Sequence, residues 1–414
     1  MVIGFSALLA ALLTRSLGGL VLIVLVAIPA RISLGSLRFT VFELAIPFCL
    51  YVELRYAQLR ARRQVVPQSF VTLSVLMFYL LAFASGFWAL SGGLWLTRVG
   101  VISEALIAGW VVYLAVSRLG TETFLQVVAW SSTTGAAWAL TWFYVLGSPE
   151  SLNLQPPTGL DSTLSQSLRL GSPLLGPSNY YASFLILTIP VTFYLCRRKK
   201  VFWLVLLIQM AALAATLSRG GLIALVLAAV IVLAIRMLAG GRLPHGPSVI
   251  AATTVAVVLA PQVPAVFGAV LAQRQETTLQ GTGYLARIDL WQLALGLWRD
   301  HPFLGIGAGN WSAAVSLTYS GGTHNSLLQI LVELGIFGAA FATIAFFAIL
   351  AATWRIRGDR LRLCLLTGIL GSFINCLFEA SFEGVAFTWF LGVFLGGVLA
   401  TSMREQVREG TVMV

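Results

Sequence analysis

Charged residues are scarce in this chain: they make up 10% of its 414 residues, whereas soluble domains carry about a quarter. A chain so poor in charge and 58% hydrophobic is neither a soluble globular enzyme nor a disordered polypeptide. Cysteine is scarce as well, and the four cysteines show no Cys-x-x-Cys spacing. The positions of the cysteines therefore indicate neither a disulfide framework nor a zinc site.

What the chain has instead is a series of long apolar runs, each close to the length that crosses a bilayer as a helix. We therefore predict an all-α polytopic membrane protein with about twelve transmembrane helices, forming a single integral membrane domain over residues 1–414. The predicted spans are 5–30, 37–54, 66–87, 95–116, 122–146, 178–196, 201–217, 221–238, 248–270, 325–350, 363–380 and 385–403.

Clusters of basic residues predict the orientation of these spans, because cytoplasmic loops are enriched in arginine and lysine. Each cluster follows an even-numbered span, so all of them lie on one side and both termini are predicted to be cytoplasmic. Since topology accounts for most of the net charge of +11, we predict no nucleic-acid partner. The clusters are Arg55, Arg60, Arg62 and Arg63; Arg197, Arg198, Lys199 and Lys200; Arg236 and Arg242; Arg355, Arg357, Arg360 and Arg362; and Arg404 and Arg408.

A loop over residues 271–324, between the ninth and tenth spans, lies on the opposite, periplasmic side in this topology. Within it, residues 284–299 predict a helix on the membrane surface. One face of that helix is solvated, and the other carries an apolar stripe formed by Tyr284, Ile288, Trp291, Leu295 and Trp298. The glycine-rich segment 305–310 that follows is predicted to be a turn and not a nucleotide-binding loop, because no strand precedes it.

Arg287 lies on the aromatic side of this surface helix, away from the solvated Asp289. A permanent cation in that position needs a partner. The partner could be a stacked tryptophan ring, a protein carboxylate or the phosphate of a substrate.

Arg219 lies in the short connection Ser218–Gly221 between the seventh and eighth spans, where two glycines allow a tight reversal of the chain. A lone arginine on the periplasmic side runs against the usual charge bias. Either its side chain extends to lipid headgroups, or it holds an anionic substrate at the membrane face.

His324 stands at the periplasmic start of the tenth span and is one of only three histidines. It is either a structural hydrogen-bonding residue or a general base that works near neutral pH. Glu333 lies more than two helical turns further on and on the opposite face, so it is a poor direct partner for His324.

Carboxylates that lean toward the periplasmic side are spread over several spans, at Glu43, Glu104, Glu333, Glu379 and Glu383, and no Asp-x-Asp sequence occurs. A transferase that holds a sugar phosphate through divalent cations needs clustered carboxylates. We therefore predict no metal site and no cofactor, with arginine in the place of a metal.

In the order and spacing of these segments, the chain resembles the O-antigen ligase and O-antigen polymerase superfamily. The segments that carry the resemblance are Gly176–Asn179, Ser218–Gly221, Arg287 with His301–Asn310, and His324–Leu328 with Glu333–Gly335. The resemblance implies a fold related to GT-C membrane glycosyltransferases, in the bacterial inner membrane, with an active site that faces the periplasm.

The resemblance also implies a reaction. The donor is an O-polysaccharide linked to undecaprenyl diphosphate, and in the ligase branch the acceptor is the lipid A–core oligosaccharide. The surrounding membrane lipids are the remaining expected partners. The resemblance further implies metal-independent, inverting transfer. Our own hypothesis for the residues places Arg219 and Arg287 on the donor diphosphate and His324 on the acceptor hydroxyl, either as the catalytic base or to orient that hydroxyl. The polymerase branch and a branch that glycosylates protein hydroxyls remain alternatives.

A transporter or lipid flippase with twelve spans explains the span count equally well. Transporters usually place their charged sites near the midplane of the bilayer and are built from two related halves. Here the notable arginines lie at the periplasmic face and the halves look unlike, which favours a transferase.

Overall fold

The computed structural model describes residues 31–34, 37–59, 69–144, 170, 178–216, 218–238, 284–315, 322–356, 358–379 and 381–408. Two predicted spans, 5–30 and 248–270, lie outside the described residues, as does part of the predicted loop 271–324. Every other predicted span overlaps a described helix. The prediction of a helical, multi-pass membrane protein is confirmed, and six of the described helices are long and apolar enough to cross a membrane.

The described helices, apart from two short 3-10 turns, are α1 (Val41–Leu59), α2 (Ser69–Ala84), α3 (Gly92–Leu119), α4 (Thr121–Tyr144), α5 (Ser178–Cys196), α6 (Val201–Ala215), α7 (Arg219–Leu238), α8 (Tyr284–Asp300), α9 (Trp311–Ala314), α10 (Ser326–Trp354), α11 (Asp359–Cys376) and α12 (Val385–Arg408). The six candidate spans lie in α2 with the turn that follows it, and in α3, α5, α7, α10 and α12.

The predicted span 37–54 is wrong at its start. Residues 37–40 form strand β2 (Leu37–Thr40), which pairs antiparallel with β1 (Arg31–Leu34), and α1 begins only at Val41. The start of α1 is fixed by a reciprocal cap, since the Thr40 amide donates to Glu43 Oε2 at 2.5 Å and the Glu43 amide donates to Thr40 Oγ1 at 3.2 Å. Such a capping box satisfies two amides that the first turn of a helix leaves free.

Small residues bring α3 and α12 into backbone contact. A Cβ atom added to Gly396 would overlap the carbonyl of Gly109, and one added to Gly392 would overlap that of Ala105. Both pairs are spaced four residues apart, so they form one continuous stripe on each helix. In a membrane the hydrophobic effect does not drive helices together, because lipid tails are as apolar as the side chains. Close van der Waals packing of this kind therefore stabilises the association of the helices.

A second tight group consists of α5, α7 and α11. Gly221 near the start of α7 would place a Cβ 2.9 Å from the Ala182 side chain of α5, and Gly368 of α11 would place one 2.9 Å from the Leu187 carbonyl of α5. This packing puts the first residues of α5 and α7 and the last residues of α11 at one end of the bundle.

Helix α10 is broken at Gly335, whose φ of 65° and ψ of −166° are not helical. The break frees backbone groups that bond instead to the glycine-rich loop before α9. The amides of Ile306 and Gly307 donate to the carbonyls of Val332 and Glu333, at 3.0 and 2.8 Å, and the Ile336 amide donates to the Pro302 carbonyl at 2.9 Å. The loop therefore completes the hydrogen bonding of the kinked helix.

We predict that Gly335→Ala destabilises the protein by about 3 kcal/mol. A Cβ at this position would overlap the carbonyl of Phe303, and the positive φ is itself unfavourable for alanine. The measurement is the thermal unfolding temperature of the detergent-solubilised protein. Gly100→Ala in α3 is the control, because nothing lies within 4 Å of its Cβ position; equal stability of the two variants would contradict the prediction.

Candidate active site

The carboxylate of Glu379 lies at the centre of a polar cluster at the end of α11. Its Oε1 accepts hydrogen bonds from Arg287 Nη2 and Asn179 Nδ2, both at 2.7 Å, and its Oε2 lies 3.0 Å from His324 Nδ1. Arg287 comes from α8, Asn179 from the first turn of α5, and His324 from the segment before α10. The structure thus brings two of the three predicted site residues, Arg287 and His324, onto one carboxylate.

This carboxylate is almost fully enclosed, with 6% of its side chain exposed, whereas Arg287 and His324 are 34% and 38% exposed. Burial raises the pKa of Glu379, but the hydrogen bond from His324 and the positive charge of Arg287 lower it by more, so that it stands below the ordinary value of 4.5. The Glu379 carboxyl is therefore ionised at neutral pH. The partly exposed Arg287 and His324 therefore connect this buried charge to the accessible surface.

The backbone of His324 adopts a left-handed conformation with a φ of 51°, which no other described non-glycine residue shows. The residue before it, Thr323, is held at both of its backbone polar groups. Gln329 Oε1 accepts from the Thr323 amide at 3.0 Å, and Trp291 Nε1 donates to the Thr323 carbonyl at 2.8 Å. After it, Asn325 caps α10 by accepting from the Leu328 amide. Backbone strain of this kind persists only where the surroundings enforce it.

Glu333 also supports the backbone conformation at His324, through Gln329. Its carboxylate accepts from the amides of Gly309 and Trp311, at 2.7 and 3.4 Å, and from Gln329 Nε2 at 2.9 Å. No hydrogen bond or ion pair joins it to His324 in the described part of the chain. Its effect on His324 passes through Gln329, which in turn holds the Thr323 peptide.

Arg219, the third predicted site residue, begins α7 with its side chain exposed. The Cβ position of the next residue, Gly220, lies 3.5 Å from Asn375 Oδ1 and 3.7 Å from the Cβ of Phe378. The Phe378 carbonyl is also the acceptor of a 3.2 Å hydrogen bond from Arg287 Nη1. Arg219 therefore starts its helix beside the segment that carries Glu379, although no described contact joins its side chain to the cluster.

Helix α8 is present as predicted, but its apolar stripe is rotated relative to the prediction. Leu290 and Ala294 are buried, whereas Leu295 is 38% exposed, because the helix packs on Ile306, Trp311 and Val332. Asp289, Gln292 and Arg299 are exposed as predicted.

The central role of Glu379 was missed by the sequence reasoning, which counted it among scattered carboxylates. One signal for it exists: it is an acid at the periplasmic end of the predicted span 363–380, the same membrane face as Arg287 and His324. Among the described residues, no three His, Cys, Asp or Glu side chains are grouped so that they could hold a metal ion.

Comparison with known families supports the resemblance seen in the sequence. Residues 202–343 match the family model Wzy_C, described as O-antigen ligase. The matched segment is about a third of the chain's length. The segment includes Arg219, Arg287 and His324, whereas Glu379 and Asn179 lie outside it. No curated protein matches the chain.

We predict that Glu379 makes the protein sensitive to acid. With its pKa lowered in the folded state, the stability from its contacts is fully present above pH 4.5 and is lost as the pH falls through that lowered pKa. The measurement is the thermal unfolding temperature from about pH 7 down to about pH 3. This temperature should fall with pH in the wild type, and it should fall less in Glu379→Gln. Asp289→Asn, which alters an exposed acid, should keep the wild-type profile; an unchanged profile in Glu379→Gln would refute the assignment.

Proposed function

We propose that this protein is an O-antigen ligase, which transfers an O-polysaccharide from undecaprenyl diphosphate to the lipid A–core oligosaccharide. The reaction takes place on the periplasmic side of the bacterial inner membrane and completes lipopolysaccharide, in a fold of the GT-C type. The observation that carries this proposal is the cluster around Glu379, which holds Arg287 and His324 at the end of the bundle where α7 begins with Arg219. All three predicted residues lie in the segment that matches the family domain.

Arg219 and Arg287 bind the donor diphosphate in this proposal. Two of the Arg287 nitrogens are used, on Glu379 and on the Phe378 carbonyl, which fixes the plane of the guanidinium while a third of the side chain stays exposed. A permanent cation with a fixed fork of donors suits phosphate oxygens. As the bond between the sugar C1 and the diphosphate breaks, the two arginines stabilise the negative charge on the leaving group.

His324 is the general base. The neutral imidazole donates from Nδ1 to the ionised Glu379, so that Nε2 carries the free electron pair. Nε2 takes the proton of the acceptor hydroxyl as its oxygen attacks C1 from the face opposite the diphosphate, which inverts that carbon. Glu379 then stabilises the imidazolium that forms. No metal or other cofactor takes part in these steps.

We predict that His324→Ala lowers transfer by about 10²- to 10⁴-fold, which is the contribution of a general base, and that Arg219→Ala and Arg287→Ala each lower it by about 10²-fold or more. The measurement is the formation of polysaccharide-capped lipid A–core from purified protein and lipid-linked donor in detergent. Arg299→Ala, on the exposed face of α8, is the matched control and should keep full activity.

Near-normal transfer by both His324→Ala and Arg287→Ala would overturn the assignment of the site. The same assay tests the absence of a metal, because a chelator should leave the rate of the wild type unchanged. Strong inhibition by the chelator would contradict the metal-independent mechanism.

We also predict the lipopolysaccharide pattern of a ligase-null strain that carries this gene. Long polymer bands should return with the wild type and be absent with His324→Ala, while lipid-linked polymer accumulates. A defect limited to a single repeat unit would instead indicate the polymerase branch. Movement of the lipid-linked glycan in liposomes without a new glycosidic bond would indicate a flippase.

A further inference from the structure

The ends of α7, α10 and α11 that lie far from Glu379 enclose an apolar groove. Its volume is about 350 Å³, and its walls are almost free of polar atoms. The side chains that shape it are Ile235 from α7, Phe347, Ala351 and Trp354 from α10, and Leu366 from α11. Such a groove accommodates a hydrocarbon chain.

A basic rim borders this groove. Arg236 and Arg362 share the single carboxylate of Asp359, at 3.7 and 2.5 Å, so two positive charges face one negative charge. The Asp359 side chain is 59% exposed, and the side chains of Arg236 and Arg362 remain 17% and 25% exposed. Arg362 Nη1 also donates to the Trp354 carbonyl at 3.4 Å. Arg360 is exposed in the same turn of α11. The described residues of the rim therefore carry more positive than negative charge.

An aromatic residue joins the rim to the groove. The guanidinium of Arg362 lies 4.9 Å from the centre of the Trp354 ring, and Trp354 also lines the groove. Tryptophan is enriched at the boundary between hydrocarbon and headgroups, and basic pockets between membrane helices bind anionic headgroups. The position of Trp354 thus marks this end of α10 as lying at headgroup level.

We propose that the groove binds one anionic glycerophospholipid, with an acyl chain against Phe347 and Ala351 and its phosphate at Arg236 and Arg362. The donor's polyprenyl tail is a poorer candidate, because its diphosphate would have to reach the opposite membrane face. Arg219 and Arg236 stand near opposite ends of a helix of 20 residues, which is about 30 Å long, the thickness of the hydrocarbon core. A polyprenyl tail bound in the groove without its diphosphate would also supply no anion for the basic rim. The position of the donor diphosphate rests on the proposed transferase function, whereas the groove and its basic rim do not depend on it.

The test measures phospholipid retained by the purified protein. After delipidation in mild detergent, the protein is titrated with phosphatidylglycerol or with phosphatidylcholine of the same acyl chains, and bound lipid is counted by native mass spectrometry. We expect one phosphatidylglycerol to bind preferentially. Arg236→Gln should weaken its binding about fivefold, since each basic side chain near the surface contributes that much to the attraction of an anionic lipid.

A second variant tests the groove itself. Ala351→Phe fills it and should abolish retention of phosphatidylglycerol without touching the rim. Two controls should bind as the wild type does: Arg198→Gln, which removes an exposed arginine on the same predicted membrane face, and Ala214→Phe, which enlarges an exposed residue of α6.

Three results would each overturn the proposal. They are equal binding of the two phospholipids, unchanged binding in both Arg236→Gln and Ala351→Phe, and displacement of phosphatidylglycerol by undecaprenyl phosphate. Because the readout is bound lipid and not glycan transfer, failure here leaves the proposed transferase function untouched, and loss of transfer in the His324 variant leaves this site untouched.

Discussion

A carboxylate that is removed from water must be compensated by charges and hydrogen bonds, or it does not remain ionised. Glu379 meets this requirement with groups from three separate parts of the chain: Asn179 on α5, Arg287 on α8 and His324 before α10. The hydroxyl of Ser326 bonds the Glu379 carbonyl as well. The helix ends that meet here are therefore mutually dependent, since none of them can be displaced without leaving a buried charge incompletely paired.

Glu333, the second buried carboxylate of this region, acts on the backbone instead. It bonds two amides of the loop between α8 and α10 and, through Gln329, restrains the peptide before His324. One carboxylate thus sets the charge environment of His324 and the other its backbone conformation. This division explains how a histidine with a strained backbone can present its ring in one orientation.

The sequence predicts the helices of this protein well, because apolar runs of membrane length have few alternative structures. It also indicates that Arg287 needs a partner, but the partner is Glu379, 92 residues away. No periodicity links such distant residues, and the contact follows only from how α8 and α11 pack. The same limit applies to the stripe on α8: helical periodicity identifies the apolar face within one residue, and packing against Ile306 and Trp311 decides the rest.

The break at Gly335 separates α10 into two segments with different neighbours. The segment before it begins at the cap that follows His324 and accepts hydrogen bonds from the amides of Ile306 and Gly307, whereas the segment after it donates from Ile336 to the Pro302 carbonyl and runs on to Trp354. Because the ladder of backbone hydrogen bonds is interrupted between them, each segment has its own direction and its own hydrogen-bond partners. The chain from Pro302 to Gly307 therefore bonds to both sides of the break and takes the place of the helical hydrogen bonds that Gly335 removes.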